Sequence, residues 1–171
     1  FIGSNLVDEL IKLGHKVVVI DNEYSDVHEQ FYYNDKAEYH NYDIRDEATR
    51  NLYDGVDYVF HLAAEARIQP AVLNPIEAVS INSVGTCTVL QFAREAKVKR
   101  VIYSSTSSGY GLNPAPNVEA QPDDCLNPYS VSKVNGEKLC SMYTNLFGLK
   151  TIILRYFNVY GNRHPLKGQY A

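Results

Sequence analysis

Tyr129 and Lys133 stand four residues apart in the stretch NPYSVSK. If the stretch is helical, that spacing puts both side chains on one face. A phenol with a pKa near 10 is a poor base at neutral pH. A neighbouring ammonium and the positive end of a helix stabilise the phenolate, and the pair can then take a proton from a substrate hydroxyl. Upstream, in YSSTSSGYG, Ser104, Ser105 and Thr106 offer hydroxyls able to hydrogen-bond a reacting alcohol. Each motif has a plain reading too: a surface lysine at a helix start, and serines that form turns. Their order joins them, a hydroxyl cluster, then a loop, then Tyr-x-x-x-Lys.

A second pair of candidates lies near the start, in FIGSNLVDELIKLGHKVVVIDN. Gly3 sits where a helix begins, and Asp21, eighteen positions on, ends the strand that follows. A dinucleotide fold needs a glycine turn at a helix N-terminus for the pyrophosphate, and an acid about twenty residues later for the adenosine ribose. A carboxylate there favours NAD, because it repels a 2′-phosphate. The alternative is an ordinary glycine and an ordinary strand-end aspartate.

Elements that would position these groups alternate along the chain. An apolar stripe at Leu6, Val7, Leu10, Ile11 and Leu13 predicts a helix over 4–13, stopped by Gly14. KVVVID (16–21) predicts a nearly all-apolar strand, and AEYHNYDIRD a weaker one ending at Asp43. VDYVFHLAA (56–64), RVIYSS (100–105) and KTIILRYFNVYG (150–161) predict three more. Helices are expected over about 82–96 and over 129–147, the latter begun after Pro128 and ended by Gly148. Residues 111–128, rich in Pro, Asn and Asp, predict a long loop, and the tail from Asn162 is irregular. Such alternation argues for one α/β domain with a parallel sheet covered on both faces. Ligands then bind beyond the carboxyl ends of the strands. The residues there are Asp21 and Asn22, Asp43 and Ile44, Leu62 to Ala64, Ser104 to Thr106, and Tyr156 to Asn158.

The chain's 171 residues are enough for a sizeable core, and 45% hydrophobic with 21% charged residues is ordinary for a globular protein. A net charge of -4 gives no reason to expect nucleic acid or an anionic membrane. No apolar run reaches membrane-spanning length. Cys87, Cys125 and Cys140 lack metal-type spacing and read as reduced thiols of a cytoplasmic protein, with no metal site. His61 reads as a packed core residue, Arg155 as a structural hydrogen-bonding group with a phosphate contact as the alternative, and Arg163 and His164 as solvated loop residues. Asp123 and Asp124 read as turn formers; Glu65 has no assigned role.

FIGSNL, VVVIDN, YDIRD, VFHLAAEA, NSVGT, VIYSSTSSGYG, NPYSVSK and LRYFNVYG occur in one order over residues 1–163. Together they resemble the extended short-chain dehydrogenases/reductases, in particular the nucleotide-sugar epimerase/dehydratase family, and within it the 4-epimerases of UDP-hexoses. The resemblance implies a Rossmann-type doubly wound parallel sheet over 1–163, with 164–171 opening a substrate-binding region that continues elsewhere. It also implies that Phe1, Ile2 and Gly3 close a glycine-rich turn whose first strand and first two glycines precede them. Carried over by position, Phe1 and Ile2 border the cofactor, Asp21 and Asn22 hold the adenosine ribose, and Asp43 and Ile44 hold the adenine. Leu62, Ala63, Ala64 and Asn82 line the pyrophosphate and ribose, while Ser104, Ser105 and Phe157 approach the nicotinamide. Thr106, Tyr129 and Lys133 form the catalytic set, with Asn158 joining Thr106 and Tyr129 at the substrate.

The implied reaction is reversible: Tyr129 takes the proton from the sugar 4-hydroxyl, hydride passes to NAD, and hydride returns to the other face of a 4-keto intermediate. The implied partners are a UDP-sugar and a second copy of the chain, paired through the two long helices. Dehydratases of the family carry an Asp-Glu pair after the catalytic Thr. Here Ser107 and Ser108 follow Thr106, so dehydration lacks its acid and base. UDP-glucuronate decarboxylases and uronate 4-epimerases remain alternatives, with a sugar dehydratase the less favoured one. A non-catalytic dinucleotide-binding protein is the reading of a different class, and it gives no reason for Thr106, Tyr129 and Lys133 to occur together.

Overall fold

The computed structural model describes residues 1–25 and 30–165, so the last six residues of the expected tail lie outside it. Two compact units emerge, one of residues 1–52 with 158–171, the other of residues 53–157.

In the first unit, α1 spans Ile2–Lys12 and turns Val7 into the core. It ends in a Schellman turn: Gly14 N–H donates to Ile11 O (2.9 Å) and His15 N–H to Leu10 O (3.0 Å). Gly14 has φ 86°, which its missing Cβ permits. Strand β1 (Val18–Ile20) pairs in parallel with β2 (Glu38–His40), Val18 opposite Glu38 and Ile20 opposite His40. Both strands are shorter than expected, and Asp43 lies three residues past β2 rather than at its end. A 3-10 turn, Glu47–Tyr53, follows; the sequence pattern did not announce it.

The second unit is built on three parallel strands in the order β3 (Tyr58–His61), β4 (Arg100–Thr106), β5 (Thr151–Tyr156). The chain therefore folds as a Rossmann-like parallel α/β protein, but with two sheets where the sequence suggested one. Central β4 buries Val101, Tyr103, Ser105 and Thr106. Helix α2 (Ile68–Leu73) leads to α3 (Pro75–Val79), where Asn74 caps Glu77 N–H (3.3 Å) and Pro75 occupies the first turn. A π turn, Ser80–Val84, then runs without a break into α4 (Gly85–Glu95). The helical stretch thus starts earlier than position 82. The Asn74-Pro75 start signal was present, but exposed Ile76 and Val79 blur the apolar stripe that marks a buried face.

Helix α5 (Pro128–Phe147) opens with a capping box between Asn127 and Ser130 and closes at Gly148, φ 71°. Its inward face carries Ser130, Ser132, Lys133, Val134, Gly136, Glu137, Cys140 and Tyr143 and packs on β4. This face is largely polar and small, so the helix is held by specific hydrogen bonds as well as by apolar area. No described helix is long and apolar enough to cross a membrane.

Candidate active site

In the first unit the carboxyl ends of β1 and β2 bring Asp21, Asn22 and Asp43 together. Asn22 Nδ2 donates to Asp43 Oδ2 (3.4 Å). Exposed Asp21 accepts from Glu23 N–H through Oδ1 (2.7 Å), and its Oδ2 has no hydrogen bond among the described residues. Asp43 is more committed. Arg45 donates to its Oδ1 through Nε (2.9 Å) and its backbone N–H (2.8 Å), and to its Oδ2 through Nη2 (2.7 Å). These bonds hold the Asp43 carboxyl below the ordinary carboxylate range. Asp43 is thus a fixed anchor in a turn, with its neighbour Ile44 buried. Phe1 and Ile2 are half-buried at the start of α1, and the Phe1 ring packs edge-on against His164 (centroids 5.0 Å apart). Arg163 is no solvated loop residue: its Nη2 donates to Asp8 Oδ2 (2.6 Å). Asn158, exposed, belongs to this unit as well.

In the second unit, β4 delivers Thr106 and the first turn of α5 delivers Tyr129 and Lys133. Thr106 is buried; its Oγ1 accepts Ser108 N–H (3.1 Å), starting the 3-10 turn Ser107–Tyr110. The Thr106 hydroxyl hydrogen has no acceptor among the described residues, so it is free to donate to a ligand. Tyr129 is half-buried at the positive end of α5. Lys133 is only 4% exposed. Its ammonium lies over the Tyr103 ring, 4.5 Å from the centroid, and makes no hydrogen bond among the described residues. Burial lowers its pKa from 10.5 to about 8, with Cys140 and Glu137 opposing the shift. Its Nζ keeps donors that no described residue uses, and such donors suit acceptor oxygens of a ligand.

Other expected site residues take different parts. Leu62, Ala63 and Ala64 follow β3 half-buried, a small smooth rim. Asn82, expected beside the cofactor, is 1% exposed and spends both amide hydrogens inward, on Glu65 O (3.0 Å) and Ser132 Oγ (2.9 Å). It therefore positions the site rather than facing a ligand with those donors. Ser104 is half-buried, while the alternation of the strand turns Ser105 to the opposite face. There the Ser105 hydroxyl donates to Glu137, so its hydrogen is spent on the helix. Phe157 is 61% exposed and stacks on Tyr110, centroids 6.0 Å apart.

Beneath this surface lies a charged network read only partly from the sequence. Arg155 grips Glu137 with two bonds, Nε to Oε1 (2.9 Å) and Nη2 to Oε2 (2.6 Å), and reaches Asp123 Oδ1 (3.0 Å). Its structural role is as expected. Asp123 is more than a turn former, since Lys138 also donates to its Oδ2 (2.6 Å) and pulls its pKa down. Asp124 accepts Leu112 N–H (2.8 Å) across the loop. The signal that could have found Glu137 was its place four residues after Lys133 on the same helix face.

The fold and the Thr106, Tyr129 and Lys133 elements define a class: Rossmann-like proteins whose long helix carries a Tyr-x-x-x-Lys pair beside a hydroxyl-ended strand. Comparison with known proteins narrows it. The family model described as "NAD dependent epimerase/dehydratase family" matches residues 1–170. The chain belongs to that family. It is 36% identical to the UDP-glucose 4-epimerase of Mycolicibacterium smegmatis, over 99% of this chain and 56% of that protein. It is also 36% identical to the UDP-N-acetyl-alpha-D-glucosaminuronate decarboxylase of Bacillus cytotoxicus, over 100% of this chain and 55% of the other. Among solved structures, the UDP-N-acetylglucosamine 4-epimerase of Methanobrevibacter ruminantium M1, in complex with UDP-N-acetylmuramic acid, superposes with a TM-score of 0.92 at 33% identity, covering 100% of this chain and 56% of that one. The chain thus spans about half the length of the relatives it matches.

Proposed function

We propose that the protein is an NAD-dependent nucleotide-sugar 4-epimerase acting on a UDP-hexose. The observation that carries this is the buried Lys133 side chain, whose ammonium has no hydrogen-bond acceptor among the described residues, one helical turn from Tyr129. Each unit, taken by itself, carries groups of the kind that NAD requires. Asp21 offers a carboxylate oxygen, unbonded among the described residues, suited to an adenosine ribose, with Asn22 beside it. Lys133 offers donors suited to the nicotinamide ribose.

The nicotinamide supplies the hydride acceptor and donor. Tyr129 removes the proton from the sugar 4-hydroxyl, Thr106 orients that oxygen with its free hydroxyl hydrogen, and the positive charge of Lys133 favours the Tyr129 phenolate. After the 4-keto sugar turns over, the same groups return the proton. The exposed Val131, Met142, Leu146 and Phe147 of α5 support the accompanying proposal of a homodimer paired along the long helices, which sedimentation of the whole protein checks.

The deciding experiment incubates the whole protein with UDP-glucose and with UDP-N-acetylglucosamine and follows the C4 epimers by proton NMR. Tyr129→Phe should lose about 10²–10⁴ in turnover while NAD remains bound. Turnover close to wild type in that variant refutes the assigned base. The decarboxylase relative supports one alternative, and carbon dioxide release from a UDP-uronate would favour it.

A further inference from the structure

Tyr103 is the largest fully buried side chain of β4, and it makes two separate contacts to one residue. Its ring lies under the Lys133 ammonium, at 4.5 Å, and its hydroxyl donates to the Lys133 backbone oxygen at 3.0 Å. The helix is shaped around it: a Cβ at Gly136 would stand 2.2 Å from the Tyr103 oxygen. Strand and helix can approach this closely only because position 136 has no side chain.

We propose that Tyr103 is a positioning residue that aims Lys133 and keeps it charged; the idea rests on the role given to Lys133 above. Besides Tyr129 one turn away, the groups that share electrostatics with Lys133 are His61, Cys140 and Glu137. His61 on β3 is held neutral by burial, down to about 3. Cys140 on α5 is kept a thiol, pushed up to about 12 by burial. Glu137 on α5 is gripped by Arg155 of β5. Glu65, tied through Asn82 to Ser132, is paired with Arg67 at 3.6 Å. Burial also pushes the Tyr103 phenol up, so the ring acts as a neutral quadrupole rather than as a phenolate. With no hydrogen-bond acceptor on the ammonium among the described residues, the negative face of that ring helps to compensate the cation for the water it loses on burial.

The test is a titration of Lys133 in the whole protein, labelled at lysine side chains, with the signal assigned through Lys133→Arg. Tyr103→Phe keeps the ring and should titrate within a few tenths of a unit of the wild type. Phenylalanines carrying two and then three fluorines at position 103 keep the shape but drain the ring face, and should lower the midpoint stepwise, by about one unit at the end of the series. From a starting value of about 8, a fall of one unit cuts the charged fraction at pH 8 from about one half to about one tenth. Turnover should therefore fall about fivefold at pH 8 and stay nearly unchanged at pH 6. A midpoint that does not move through the series overturns the proposal, and so does a loss of turnover equal at every pH. The titration needs no substrate, so failure of the epimerase reading would leave this result separately readable.

Discussion

Asn82 and Ser132 are joined by a hydrogen bond from Nδ2 to Oγ, 2.9 Å long and fully buried. Ser132 Oγ in turn donates to the Tyr129 backbone oxygen (2.8 Å), while Asn82 holds Glu65 by both its N–H (2.9 Å) and its carbonyl (3.0 Å). One amide side chain thus links the π turn, the segment after β3, and the turn of α5 that carries Tyr129 and Lys133.

Asn82→Ala leaves the Glu65 N–H and carbonyl buried without these partners. It should destabilise the protein by about 2–4 kcal/mol, since each orphaned group costs about 1–3 kcal/mol. Asn82→Asp should recover little of this, because a carboxylate cannot donate to Glu65 O or Ser132 Oγ. Urea denaturation of both variants beside the wild type measures the loss. A change below 0.5 kcal/mol in Asn82→Ala, about the size of a neutral surface substitution, would show that the clamp carries little energy.

His61 provides a pH dependence. Its Nε2 lies 2.9 Å from Thr86 Oγ1, whose own hydrogen goes to Asn82 O (2.5 Å), so Nε2 is the donor. Burial first, and the Lys133 charge second, lower the His61 pKa from 6.5 to about 3. Between those values the unfolded chain binds a proton that the folded chain does not, so stability falls as pH falls through 6.5. From pH 7 to pH 5 the loss from this group should be about 2 kcal/mol. His61→Gln, which can still donate to Thr86, should lack it. Denaturant midpoints at the two pH values decide the matter, and equal pH dependence in both proteins would exclude His61 as the cause.

The Arg155–Glu137 pair should show strong non-additivity. Their side chains are 14% and 9% exposed, so removing one partner strands the other in a poorly solvated place. Glu137→Leu alone should cost about 3–5 kcal/mol, whereas the double variant with Arg155→Met should lose much less than the sum of the two single changes. Thermal melts of the four proteins in the cycle supply the coupling, and additive losses would mean that the pair does not act as a unit.

Much of the fold was legible locally. The 3.6-residue stripe before Gly14, the short apolar runs at β1 and β4, and Pro128 with Gly148 around α5 depend on near neighbours only. Elements whose cause is not local were harder to read. The π turn at Ser80–Val84 and the early start of helix near Pro75 carry exposed apolar residues, so their periodicity is blurred. Among the site residues, spacing alone put Tyr129 and Lys133 one turn apart, and Asp21 and Asn22 at a strand end. It could not show that Asn82 and Ser105 spend their hydrogen bonds inward, because Ser132 and Glu137 are 50 and 32 positions away.

The sequence by itself determined the family, the parallel α/β plan, and the chemical types at the candidate site, since each is written in residue identity and short-range order. Tertiary structure alone decided the state of those groups. A lysine becomes a buried side chain, its ammonium over an aromatic ring, only when a strand from thirty positions earlier lays Tyr103 beneath it. An arginine becomes a brace only when β5 brings it to Glu137 and Asp123. Burial and pairing are properties of what surrounds a side chain, and for these residues the surroundings come from distant parts of the chain.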